Sequence, residues 1–382
     1  MLNKLQIIII IMTFLSLASC KKDEDNTLLE PSYIKFTGDI GTNDNSTLIS
    51  YDQNLIICGN SGANISVLKI SKSGNQIWRK DFFAGKGSSA YGIAQTSNQE
   101  LFICGKTDQK NSDEKNDILL VKTNSEGDTI WTKVYGGIES DYSACIITTS
   151  DGNLLIAGKT ESFGAGTFGD IYLLKLNTNG DILWTRSYPD QDQEVPFNII
   201  ETQNGEFLIT GTNEDNSQYR ELYLLKVSAN GQQLWNRKIG PPTWKWGYST
   251  LELTDGNLLV CGKHTVGGYN QILVVKTDNI GNVIWENEYG AVNLSEEGNS
   301  IKQNIDGTYT ITGSCFDVST GKTDILLLKI DKSGNQLWLK KFGSTSGEGV
   351  NLIKDTNDDN IITGNYNGSM FMTKTDSNGD YK

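Results

Sequence analysis

A glycine followed four residues later by a tryptophan recurs along this chain. Gly74/Trp78, Gly127/Trp131, Gly180/Trp184, Gly231/Trp235, Gly281/Trp285 and Gly334/Trp338 repeat it, with gaps of 53, 53, 51, 50 and 53 residues between successive tryptophans. A period near fifty with strand-like content marks radially repeated four-stranded sheets, so the expected fold is an all-β propeller.

One copy shows how the period is built. Ser143–Thr149 reads as a first strand and Asp151-Gly152-Asn153 as a tight hairpin turn. Leu154–Gly158 is a continuous apolar run, as expected of a strand covered on both faces. Asp170–Lys175 is the third strand, Asn177–Gly180 its turn, and Ile182–Tyr188 the fourth strand. The second-strand glycine occurs seven times (Gly59, Gly105, Gly158, Gly211, Gly262, Gly313, Gly364), as does the third-strand lysine (Lys69, Lys122, Lys175, Lys226, Lys276, Lys329, Lys374).

The tryptophan occurs only six times, because the chain stops at Lys382 where the last copy's fourth strand should begin. Tyr33–Gly38 matches Trp131–Gly136 in register, with tyrosine in the tryptophan slot. The N-terminal strand is therefore expected to complete the last blade. Closure would give seven blades of four antiparallel strands over residues 32–382, with no free sheet edge.

Residues 1–19 read as an export signal: Lys4 is the basic start and Ile7–Leu15 an apolar run too short to span a bilayer. Removing them leaves 32 basic and 46 acidic side chains (33 − 1 = 32), a formal charge of 32 − 46 = −14. Such a surface repels nucleic acid. Cys58, Cys104 and Cys261 share a repeat slot with Ala157, Thr210, Thr312 and Thr363, so they read as small core residues. With Cys145 and Cys315 as singletons and His264 the sole histidine, neither a disulfide framework nor a metal site is expected.

Two resemblances extend this reading. Leu17-Ala18-Ser19-Cys20 resembles a bacterial lipobox, and Lys21–Asn26 looks like the acidic export signals of Bacteroidetes surface lipoproteins. They imply a lipidated Cys20, a polar tether over residues 20–31 and an outer-membrane, cell-surface location, the lipid being the sole membrane contact. The register Lys175-x-x-x-x-Gly180-x-x-x-Trp184 resembles the tryptophan-docking repeat of PQQ-type propellers. Glu161–Ile171 and Thr149–Asn153 look like a widespread group of secreted bacterial repeat propellers. The resemblance covers about residues 32–382 and implies a fold rather than an activity. Quinoprotein dehydrogenases usually have eight blades and a cofactor cage, and no segment here reads as a cage, so no cofactor is expected.

Function is expected on the face carrying the two–three and four–one connections, which differ in every copy. Two features stand out there. Pro241–Tyr248 holds Trp244, Trp246 and Tyr248, and the loop aromatics Phe163, Phe168, Tyr219 and Tyr269 could extend a binding platform. Packing against the neighbouring blades is the competing account. Acid gathers at the four–one connections: Glu139, Asp141, Asp190, Asp192, Glu194, Glu296, Glu297 and Glu348 could ring the mouth of the channel. Solvated loop charge is the alternative.

Other candidates read as structural. Asp355–Asn360 imitates an EF-hand start but has asparagine at its sixth position and Tyr366 at its twelfth, so it is a turn. His264 is expected to be an exposed side chain. The third-strand lysines are expected to pair with acids such as Asp117, Asp170, Glu221 and Asp324. The composite expectation is a monomeric, non-enzymatic lipoprotein whose loop face binds a glycan or an envelope protein. The alternative is a polysaccharide-active hydrolase or lyase using loop carboxylates.

Overall fold

The computed structural model describes residues 34–35, 47–62, 64–83, 85, 87–108, 115–164, 169–190, 192–215, 219–291, 293–343, 347–366 and 369–382. The signal, Cys20, the tether, Tyr33 and Phe168 lie outside them. The described residues belong to one compact unit, Pro31–Lys382. They contain no α-helix, and none of the chain they cover is a helix long and apolar enough to cross a membrane.

The repeat folds as antiparallel four-stranded meanders. Copy three comprises Asp141–Thr148, Leu154–Thr160, Asp170–Leu176 and Ile182–Tyr188, each strand paired with the next. Copies one, two and six form sheets of the same order. Copies four and five share one continuous strand, Gln233–Glu252, and so merge into a seven-stranded sheet. Copy seven supplies Gly347–Lys354, Asn360–Tyr366 and Ser369–Thr375, and Ile34–Lys35 pairs antiparallel with the last of these, Ile34 opposite Met372.

The second strands are covered on both sides, as their apolar runs require. Ile56 and Cys58 pack against Leu101 and Ile103 of copy two, whereas Leu55 and Ile57 pack against Ile361 and Met372 of copy seven. Equivalent clusters join every other consecutive pair of copies, so the core is a series of inter-sheet layers. The shared cysteine slot is fully buried, and all five described cysteines are free thiols.

A second layer of contacts locks each sheet to the next. In copy four, Gly231 turns with φ 78°, and a Cβ there would stand 2.9 Å from Cζ3 of Trp184 in copy three. Gly127, Gly180, Gly281, Gly334 and Gly379 lie in the same way beneath Trp78, Trp131, Trp235, Trp285 and Trp338. Each indole thus docks on the turn of the following copy, where both the positive φ and the missing Cβ are needed. Tyr188 Oη donates to the Gly231 carbonyl at 2.7 Å, and Tyr135 and Tyr289 do the same at Gly180 and Gly334.

The lysines correct one expectation. Lys69, Lys122, Lys175, Lys226, Lys329 and Lys374 pair with Asp52, Glu100, Asp151, Glu206, Asp306 and Asp355, the acids of their own one–two turns. Asp117 and Asp170 start the strands on which Lys122 and Lys175 come five residues later. At about 3.3 Å per residue that places them at the opposite end. Three of the basic residues two after a tryptophan reach across instead: Lys80, Lys133 and Lys340 meet Asp128, Asp181 and Asp380 of the next copy. The segment Asp355–Asn360 is the expected turn, with Asp355 and Asp359 holding Lys374 at 2.8 and 2.9 Å.

Gly231→Ala is expected to destabilise the protein by about 1–3 kcal/mol, whereas Gly152→Ala, whose Cβ would meet nothing within 4 Å, carries only the positive-φ part of that cost. Denaturant unfolding of the two variants tests this; equal losses would mean that the indole contact contributes nothing.

Candidate functional site

The Pro241–Tyr248 segment is not a loop. Prolines favour extended backbone, and the chain runs straight through them as the middle of Gln233–Glu252. Trp244 therefore pairs with Arg220 on one side and Thr265 on the other, and Trp246 with Lys263. Alternation puts Lys245 in the interior, where its ammonium meets Glu286 at 2.6 Å. Trp244 remains 39% exposed and Trp246 half-buried.

These side chains form a ladder of rings and cations. The Trp244 and Trp246 rings lie 6.1 Å apart, and the Arg220 guanidinium sits 5.5 and 5.3 Å from their centroids. The Lys263 ammonium lies 4.7 Å from the Trp246 ring and 5.7 Å from Tyr248. Tyr248 then meets Phe197 of copy four edge-on at 5.2 Å. Arg220 also binds Glu214 at 2.6 Å and Lys263 binds Glu297 at 2.9 Å, which fixes both cations over the rings.

The sequence reading missed Arg220, Lys263 and Phe197. Phe197 occupies the bulge slot in copy four that Tyr248 holds in copy five, so a repeat alignment carries its signal. The cations are legible only once strand pairing is known. Among the other expected aromatics, Phe163 stacks on Tyr172 with centroids 5.3 Å apart, and Tyr219 is 45% exposed. Tyr269 is half-buried beside the two-glycine turn Gly267-Gly268. Among the described residues no ring contact joins these three to the ladder.

The acids are placed differently from one another. Asp141, Glu194 and Glu296 are fully buried in one repeat slot, the slot that holds Lys245 in copy five. Asp141 accepts from Gly137 N at 2.8 Å and Ser162 Oγ at 2.7 Å, and from Thr160 Oγ1. Glu296 accepts from Ala291 N and meets Lys341, both at 2.7 Å. Glu139 pairs with Lys115, Asp192 and Asp190 with Lys238, and Glu297 with Lys263. Glu348 stands opposite Asn365, and its side chain lies outside the described residues. Their charge is thus largely committed to pairs rather than held open.

Glu194 is the exception in its protonation. Burial pushes its carboxyl up to about 8, against the opposing hydrogen bond from Asn213 Nδ2 at 2.7 Å and with help from Asp190 and Asp170. His264 is half-buried rather than exposed, its Nδ1 2.6 Å from Glu288 Oε1. No group of three His, Cys, Asp or Glu among the described residues could hold a metal ion.

Cavities lie elsewhere, at the end carrying the one–two turns. One of ≈ 360 Å³ is walled by the first strands of all seven copies. Another of ≈ 480 Å³ opens among Ser150, Gln203 and Gly205.

Comparison with known proteins supports the architecture. No family model matches the chain. The regulatory protein FlaEY of Caulobacter vibrioides is 22% identical over 176 residues, which span 40% of this chain and 18% of that protein. Among solved structures, the WD40 domain of Neurospora crassa Pan2 superposes with a TM-score of 0.56 at 9% identity, over 87% of this chain and 88% of that one. An ulvan lyase of polysaccharide lyase family PL25, bound to -[GlcA(1-4)Rha3S]-, superposes with a TM-score of 0.63 at 9% identity, over 89% and 95%. These likenesses establish an all-β, propeller-like fold of four-stranded antiparallel sheets and nothing finer.

Because the folded-state value of Glu194 lies above its unfolded one, the unfolded state ionises first as pH rises. Glu194 therefore costs stability progressively between about pH 4.5 and 8. Glu194→Gln is expected to raise the melting temperature at pH 8 and leave it unchanged at pH 4. An equal effect at both pH values would disprove the buried, neutral carboxyl.

Proposed function

We propose that this chain is a non-enzymatic, monomeric outer-membrane lipoprotein, anchored through Cys20 and presented at the cell surface, whose loop face binds a glycan. The scaffold of this reading is a seven-bladed ring closed by the N-terminal strand. The pairing of Ile34 with Met372, the cluster joining Leu55 and Ile57 to Ile361, and a cavity lined by all seven first strands support it.

The observation that carries the glycan reading is the Trp244–Arg220–Trp246–Lys263–Tyr248 ladder. Indole faces suit the apolar faces of sugar rings, and the interleaved cations suit hydroxyl or acidic substituents. Trp244, left 39% exposed at the end of the ladder, is the natural first contact. An envelope protein is the other partner such a surface would accept.

A second reading, a polysaccharide-active lyase or hydrolase, has one observation in its favour: Glu194 keeps its proton to about pH 8, as a general acid must. The likeness to the ulvan lyase adds only that a shared fold can host such a site.

A glycan array followed by titration of the best binder tests the first reading. Trp244→Ala and Arg220→Ala are each expected to weaken capture about ten-fold or more, with melting temperatures close to the parent. Unchanged affinity in both variants would remove the ladder from the binding site. Turnover of a bound polysaccharide that disappears in Glu194→Gln would replace binding with catalysis.

A further inference from the structure

The cavity among the first strands holds one cation, Lys302, that meets no carboxylate among the described residues. Lys302 falls in a register slot that in the other copies is Leu48, Ala94, Ile147, Ile200, Leu251 and Ile353. Its cross-strand neighbour is Thr310, where those copies have Ile56, Phe102, Leu155, Leu208, Leu259 and Ile361. Lys302 lines both the ≈ 360 Å³ cavity and the adjoining ≈ 480 Å³ one, which also share Ile200 and Thr250.

Among the described residues no carboxylate comes within 4 Å of its ammonium, unlike the third-strand lysines. Glu201 and Glu252 stand on the wall of the larger cavity but are spent on the preceding copies' turns. Glu201 accepts from Ser150 N and Oγ at 2.7 and 2.5 Å, and Glu252 from Gln203 N at 2.6 Å. The remaining wall of the smaller cavity sets the partly buried Leu48, Ile147, Ile200 and Ile353 among the polar Thr47, Asn198, Ser249, Thr250, Ser300 and Asn351. Aliphatic side chains beside a cation that no described carboxylate meets suit an amphiphile: the charge asks for an anion and the isoleucines for a hydrocarbon.

We propose that this cavity binds a small carboxylic acid with an aliphatic body, its carboxylate on the Lys302 ammonium and its chain against the isoleucine wall. Burial alone pushes the Lys302 amine below the ordinary lysine range, with Cys261 opposing weakly. An arriving carboxylate reverses that cost, so binding takes up a proton at alkaline pH. Six copies manage the same slot with aliphatic side chains or alanine. The lysine is therefore expendable for folding and explicable by a ligand. The site is separate from the aromatic ladder, and Trp244→Ala is expected to leave it untouched.

Calorimetry on the full chain with octanoate, octan-1-ol and acetate as probes, in buffers of different ionisation enthalpy, tests this. Octanoate is expected to bind with proton uptake, octan-1-ol and acetate each more weakly. Lys302→Met is expected to weaken octanoate about ten-fold or more and abolish the uptake, while Lys302→Arg restores binding. Lys302→Leu, which copies Leu251, stands in if the methionine variant fails to fold. Equal octanoate affinity in parent and Lys302→Met would overturn the proposal, as would acetate binding as tightly as octanoate, octan-1-ol matching it, or no binding by any probe.

Discussion

Six copies of the repeat each lean on the following one through an indole resting on a glycine. The contact needs three things at once: a planar ring on the fourth strand, a turn in the left-handed region, and no Cβ between them. Each requirement comes from a different copy or a different strand, so one sheet cannot satisfy it alone. Single sheets expose apolar residues on both faces of their second strand, and stacking is the only way to cover them. The tyrosine hydroxyls on the glycine carbonyls and the lysines on the following aspartates reinforce the same joint. Propeller geometry follows from repeating that joint.

The joint leaves the loop end of the sheets free to vary, and the variation is local. In copy five the four–one connection straightens into a strand and carries Trp244 and Trp246 beside Arg220 and Lys263. In the slot one register step further along the first strand, copies three, four and six bury Asp141, Glu194 and Glu296, and copy five buries Lys245. The same backbone position thus holds either sign of charge, provided that a partner is built beside it. Glu194 has the thinnest set of partners, a single amide, and burial accordingly keeps its proton on.

Much of the architecture was legible in the residues. The strands of copy three, the one–two turns, the small buried cysteine slot and the pairing of the N-terminal strand with the C-terminal sheet all follow from repeat register. The candidate site was legible in part. Trp244, Trp246 and Tyr248 stand out as aromatics outside the repeat, but their cations do not, because Arg220 and Lys263 lie 24 residues before and 17 after Trp244 and Trp246 respectively. Strand pairing brings them together. The partners of the third-strand lysines are not legible in this way, because an acid five residues away on the same strand lies at its far end, whereas the true partner on the one–two turn is near only in space.

By itself the sequence determined the repeat, the strand order within each copy and the residues that must be small or apolar, since these depend on periodicities of two and of about fifty that any reader can count. Tertiary structure alone decided which charges are paired, which carboxyl is left neutral and which lysine faces a cavity with no carboxylate beside it among the described residues. The reason is physical. Local pattern sets where a side chain points, whereas its charge state depends on desolvation and on neighbours that arrive from other sheets.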